Sequence, residues 1–213
     1  MWRIAIIGGG PPPPTGVYPN GFDLATIAGS ATYYMYPASP CFLEGTQVLC
    51  QIDGVEMYKS IETISPGTLV KTSLNGFQKV KLIGKGQMYN PGTTERIQDR
   101  LYKCSSDHYH ELTADLFITG CHSILVDELT DVQRQATKDQ IGRIFVTDNK
   151  YRLMACVDER AEPWTAEGSH TIWHLALEHI DERMNYGIFV NGGLLVETCS
   201  INFLKNHSNL KTV

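Results

Sequence analysis

The chain has 213 residues, room for one ordinary domain and a short appendage, and its 42% apolar and 19% charged content excludes an intrinsically disordered protein. Lys and Arg total 18 against 23 Asp and Glu, a net charge of -5, which excludes a phosphate-backbone binder, so no nucleic-acid partner is expected. No apolar run approaches the roughly 20 residues that cross a bilayer, so no membrane partner is expected either.

The N-terminus begins with an apolar stretch, Met1 to Ile7, too short for a signal-peptide core. Without a secretion signal, the expected setting is a reducing cytosol. Gly8-Gly9-Gly10 then runs into Pro11 to Pro14, with Gly16, Pro19, Asn20 and Gly21 close behind. Proline lacks an amide donor and glycine resists ordering, so a long helix or a central strand is excluded here. Arg3 to Pro11 (RIAIIGGGP) imitates a dinucleotide-binding fingerprint, but Pro13 stands where its third glycine belongs. It reads as a short strand ending in a Pro-rich turn, and no cofactor is expected. Residues 26–36 (TIAGSATYYMY) suit an exposed or docked strand. Pro37-Ala38-Ser39-Pro40 punctuates again, which makes 1–40 a Gly/Pro-rich leader.

From Cys41 onward short apolar runs recur between turn residues: TQVLCQI, TLVKT, QKVKLIG, LFITGCHSILV, GRIFVT, YRLMACV and GIFVNGGLLVETC. Such spacing predicts a mainly β domain over 41–205, followed by a short tail over 206–213. Helical pattern is confined to 127–141, with acidic residues in its first turn, and to 171–183 (TIWHLALEHIDER). The second stretch carries Trp173, His174 and His179, where hydrogen-bonded structural histidines are expected. Residues 158–164 (DERAEPW) read as a charged turn facing water, with acidic groups that could assist a proton transfer.

The six cysteines, Cys41, Cys50, Cys104, Cys121, Cys156 and Cys199, form no C-x-x-C pair and read as separate thiols. Cys104, Asp107, His108 and His110 lie close together but do not complete a four-ligand pattern. They read as an exposed loop, and no metal is expected.

Four stretches carry the chemistry. Cys41-Phe42-Leu43-Glu44-Gly45-Thr46-Gln47-Val48 opens the β domain, and Ser65 to Thr72 is a turn feeding a strand. Thr119-Gly120-Cys121-His122 sets Thr and His three apart at the start of an apolar strand. Asn191 to Cys199 is a tight turn feeding the last strand. In this order the stretches resemble the blocks of the Hint family, the fold shared by inteins and the autoprocessing domain of hedgehog proteins. The resemblance spans about residues 41–203, and its wording is closest to stand-alone Hint modules of large DNA viruses, which adds an infected host cell or a virion to the expected settings.

The resemblance implies a horseshoe-like all-β domain with one or two short helices, and a self-cleavage reaction. The Cys41 thiol would attack the Pro40 carbonyl and convert the Pro40–Cys41 peptide to a thioester. His122 would polarise that amide and protonate the departing nitrogen. Thr119 would hydrogen-bond the same peptide and help stabilise the oxyanion. Water or another small nucleophile would then release the leader, the domain's own substrate. Cys121, beside His122 on the opposite face of a strand, reads as packing. For Cys199 two readings stand: an accessory thiol that pairs with Cys41 or accepts the acyl group, or an ordinary buried cysteine.

Asn206-His207-Ser208-Asn209 has the letters of a splicing terminus in the wrong order, so ligation of a downstream segment is not expected. Proline before the nucleophile also departs from the hedgehog pattern, which has glycine there. Two other function classes remain open to the sequence. One is a non-catalytic Hint-like structural or interaction module, such as a virion component. The other is a cysteine hydrolase that uses Cys41 and His122 on other substrates.

Overall fold

The computed structural model describes residues 2–8, 31–37 and 39–213. It divides into two compact units, Met1–Ala38 and Ser39–Val213.

In the first unit β1 (Trp2–Gly8) pairs antiparallel with β2 (Ala31–Pro37), Trp2 opposite Pro37 and Gly8 opposite Ala31. Isoleucine recurs in β1 and tyrosine in β2, and such side chains favour extended backbone. The strand expected over 26–36 is found from residue 31. Its first five residues and the Pro-rich turn lie outside the described residues.

The second unit is mainly antiparallel β. Its chain order opens with β3 (Phe42–Leu43), β4 (Gln47–Ile52), β5 (Val55–Ser60), β6 (Leu69–Lys71), β7 (Phe77–Asn90), β8 (Leu101–Cys104), β9 (Leu116–Thr119) and β10 (Ser123–Val126). It continues through α1 (Asp131–Ile141), β11 (Val146–Thr147), β12 (Lys150–Met154), β13 (Glu162–Pro163), β14 (Gly168–Leu177), β15 (Gly187–Val190), β16 (Leu194–Glu197), α2 (Ile201–Asn206) and β17 (Lys211–Thr212). The main ladder runs β11-β12-β10-β16-β15-β4-β6-β7-β14-β3-β9-β8-β13, with β5 on β4 and β17 on β7.

The turn chemistry explains several hairpins. Asp53-Gly54 joins β4 to β5 with φ of 50° and 82°, and Asp148-Asn149 joins β11 to β12 with φ of 50° and 62°. Two successive positive φ angles give the tight turn whose twist matches the flanking strands. α1 starts at Asp131 rather than 127, because Thr130 accepts the Gln133 N–H and Gln133 caps back. It stops at Gly142, whose φ of 78° is cheap for glycine.

One expectation is corrected here. Residues 171–183 are not helical: 168–177 form β14, paired with β7 along most of its length. Residues 172–177 are all buried, so the sequence shows a continuous apolar run with no strand alternation. The second helix is α2 instead, capped by Ser200, which accepts the Phe203 N–H. The short tail, 206–213, packs on the domain. Lys211 and Thr212 pair with Lys85 and Gly84, and Leu210 is buried against β7. A Cβ on Gly84 or Gly86 would come within 2.9 and 2.7 Å of Leu210, so Leu210 seats over two positions that carry no side chain.

Apolar residues gather in two cores. The larger includes Phe42, Val48, Ile118, Ile124, Leu175, Ile188 and Val196. The smaller holds Cys41 and Cys199 together with Leu101, Ile172, Ala176, Ile201, Leu204 and Leu210. Among the described residues no helix is long and apolar enough to cross a membrane.

Candidate functional site

Cys41 directly precedes β3, whose Phe42 lies opposite Ile118 of β9 and Trp173 of β14. Thr119 ends β9 and His122 immediately precedes β10, so the T-x-x-H stretch is a turn between two strands rather than the start of one. The His122 N–H donates to Thr119 O at 2.9 Å and closes the turn. Main-chain bonds fix it from outside: Gly120 N–H to Arg100 O, Cys156 N–H to Gly120 O and Ala155 N–H to His122 O. A Cβ on Gly120 would lie 2.4 Å from Ile97 O, so the neighbouring backbone leaves room only for glycine. The supporting loop is stapled in turn. Arg96 donates to the carbonyls of Ala155, Cys156, Asp158 and Ala161.

This frame brings Cys41, Thr119 and His122 together. The Cys41 N–H donates to Thr119 Oγ1 at 2.9 Å, and the Thr119 N–H donates to Cys41 O at 2.9 Å. Thr119 therefore grips the nitrogen side of the Pro40–Cys41 peptide. Its own hydroxyl proton goes to Ser39 O at 3.1 Å, one residue short of the carbonyl where an oxyanion would form. With that proton committed, Oγ1 also accepts from the Cys121 thiol at 3.5 Å. Cys121, expected as packing, is half-buried and belongs to the site. Backbone turning between Thr119 and His122 removes the strand alternation on which that expectation rested.

His122 is fully buried between Phe42, at 4.3 Å between ring centroids, and His174, at 5.0 Å. Its Nε2 lies 3.1 Å from Glu197 O. A carbonyl only accepts, so Nε2 carries the proton and the neutral ring keeps its lone pair on Nδ1. Burial pushes the imidazole down to about 4, against the opposing pull of the Glu197 and Cys41 backbone. At neutral pH the ring is therefore an uncharged base. Nδ1 has no hydrogen bond of regular geometry.

His174 is the functional candidate that sequence reasoning missed. It is fully buried on β14, and neither ring nitrogen has a hydrogen-bond partner, contrary to the structural histidine expected. Its ring meets Phe42 edge-on at 5.3 Å. Burial and the nearby His122 hold it well below the ordinary histidine value. Taking 171–183 as a helix hid it, because only a strand directs this side chain toward the T-x-x-H turn. His179 lies in an exposed loop, accepting the Asp181 N–H.

Cys199 follows β16 and donates its N–H to Leu175 O at 3.2 Å. Burial pushes its thiol well up, helped by Cys41, Glu197 and Cys121. Glu197 itself is buried, with Arg152 Nη1 2.7 Å from Oε2. Burial raises its carboxyl and Arg152 opposes the rise.

Burial favours the protonated form of the other thiols. Burial raises Cys50 and Cys156 to about 11 and Cys104 to about 12. Of the loop considered for a metal, Cys104 is buried while Asp107, His108 and His110 are exposed. Among the described residues no group of three or more His, Cys, Asp or Glu is placed to hold a metal ion. Asp158, expected in a turn facing water, is buried and engaged by Arg160 and the Tyr109 hydroxyl.

No protein-family model matches the chain, and no curated protein matches it. Among solved structures the chain is similar to the crystal structure of gp41-1 intein, at 15% sequence identity and a TM-score of 0.37, over 76% of this chain and 98% of that one.

Proposed function

We propose that residues 41–205 form a Hint-type autoprocessing domain that cleaves its own Pro40–Cys41 bond by an N–S acyl shift and releases the leader, 1–40. One observation carries the proposal: the Cys41 amide nitrogen rests on Thr119 Oγ1 beside an uncharged His122 whose Nε2–H is tied to Glu197 O.

In this scheme His122 Nδ1 takes the Cys41 thiol proton, and the thiolate attacks the Pro40 carbonyl carbon. The imidazolium then returns its proton to the Cys41 nitrogen as the C–N bond breaks. A thioester and a free amine result, with no net proton change. Cysteine suits the step because its thiolate is a strong nucleophile near neutral pH. His174 lies against His122, so a cation on one ring disfavours protonation of the other and one proton is handled at a time. Water, a small thiol or a small amine then attacks the thioester, frees the leader and restores the Cys41 thiol. A reducing compartment, cytosolic or inside a virion, would keep these thiols reduced.

Intact mass spectrometry with and without dithiothreitol or hydroxylamine tests the scheme. Wild type should yield a fragment beginning at Cys41, while Cys41→Ala and His122→Ala stay whole. A positioned proton-transfer group contributes about 100- to 10,000-fold, so losing His122 should nearly stop the reaction. His174→Phe should fold and cleave more slowly. If wild type stays at full length through long incubation with thiol, the cleavage scheme is wrong.

A further inference from the structure

The boundary between the two compact units falls in the chain between Ala38 and Ser39, two residues before the bond proposed to break. Ser39 and Pro40 thus belong to the β unit, although they would leave with the leader.

The structure holds this dipeptide closely. Ser39 is 0% exposed, and its carbonyl accepts the Thr119 hydroxyl at 3.1 Å. Pro40 disfavours helical backbone at the residue before it, which keeps Ser39 extended and its carbonyl available to Thr119. The same Thr119 oxygen accepts the Cys41 N–H, so one side chain spans both ends of the dipeptide. Ser39 Oγ, however, is buried with no hydrogen-bond partner. A buried hydroxyl without a partner is worse than a methyl group of similar size. The seat therefore selects for a small side chain and makes no use of the hydroxyl.

We propose that Ser39-Pro40 occupies a built acyl subsite, a closed seat for one small side chain followed by proline, and that this seat is the specificity determinant of cleavage. The proposal rests on the self-cleavage reading, with the leaving acyl group recognised through its last two residues.

The test compares Ser39→Ala, Ser39→Thr and Ser39→Leu in the full chain. Thiol-induced cleavage is measured by intact mass, and melting temperature is measured on a Cys41→Ala background. Ser39→Ala should cleave at least as fast as wild type and melt about 2 °C higher. Ser39→Thr should be slower than wild type, and Ser39→Leu at least tenfold slower with a lower melting temperature. Ser39→Leu cleaving at the wild-type rate would overturn the seat. So would a tenfold loss in Ser39→Ala, because the hydroxyl would then be in use. If Ser39→Leu does not fold, the Ala and Thr variants decide. If wild type itself never cleaves, self-cleavage fails separately, and the melting temperatures still judge the seat: equal values for Ala and Leu variants overturn it.

Discussion

At the scale of the residue, the site depends on a main-chain carbonyl. Glu197 O fixes which His122 nitrogen carries the proton, and burial keeps the ring neutral. That has a pH consequence. The folded value, about 4, lies below the ordinary 6.5, so the unfolded chain binds the proton first as pH falls. His122's contribution to stability is complete above pH 6.5 and is lost as pH drops toward 4. Between pH 7.5 and 4.5 the loss amounts to about 2–3 kcal/mol. His174 acts in the same direction, whereas the raised Glu197 carboxyl acts against it. Urea midpoints at the two pH values should show a smaller drop for His122→Phe than for wild type. An equal drop in both would refute the assignment. Cys41, Thr119 and His122 could be singled out from the sequence because block order marks them across long separations. His174 and Cys121 could not, since their relevance depends on a strand and a turn that local pattern does not show.

At the scale of the element, the turn from Thr119 to His122 is bound by backbone on three sides, and Gly120 is the point of closest approach. Gly120→Ala forces a methyl group against Ile97 O, the Tyr102 ring and Gln98 Cα. The expected cost is about 2–3 kcal/mol, as for overpacking elsewhere in a tight interior. Chemical denaturation measures it, and cleavage should slow as the turn shifts. A variant as stable as wild type would show that the turn yields easily. Hairpin turns carry a local signal, since Asp53-Gly54 and Asp148-Asn149 are residue types that tolerate the positive φ they adopt. β14 was not. Strand periodicity requires one wet face, and β14 is buried on both along its second half.

At the scale of the whole molecule, Cys41, the proposed nucleophile, lies in the smaller core together with residues of α2 and the segment after it. Leu204 and Leu210 share that core with Cys41 and Cys199. Leu204→Ala should cost about 2–4 kcal/mol, the usual range for a buried leucine. It should also let iodoacetamide reach Cys41 faster, as read by peptide mass mapping. Unchanged labelling would mean that α2 does not shield the nucleophile. Sequence suggested only a tail there, because eight polar-rich residues show no sign of the two glycines on β7 shaped to receive Leu210. β7 has one more consequence, a mechanical one. Its first residues ladder with β6, the rest with β14, and β17 lies along the same strand. A beam shared in this way cannot slip in one half of the sheet without pulling the other. The proposed acyl shift at Cys41 is therefore expected to run with β7 in place, by movements of side chains and protons beside it, and only the later entry of a nucleophile and departure of the leader call for a wider opening.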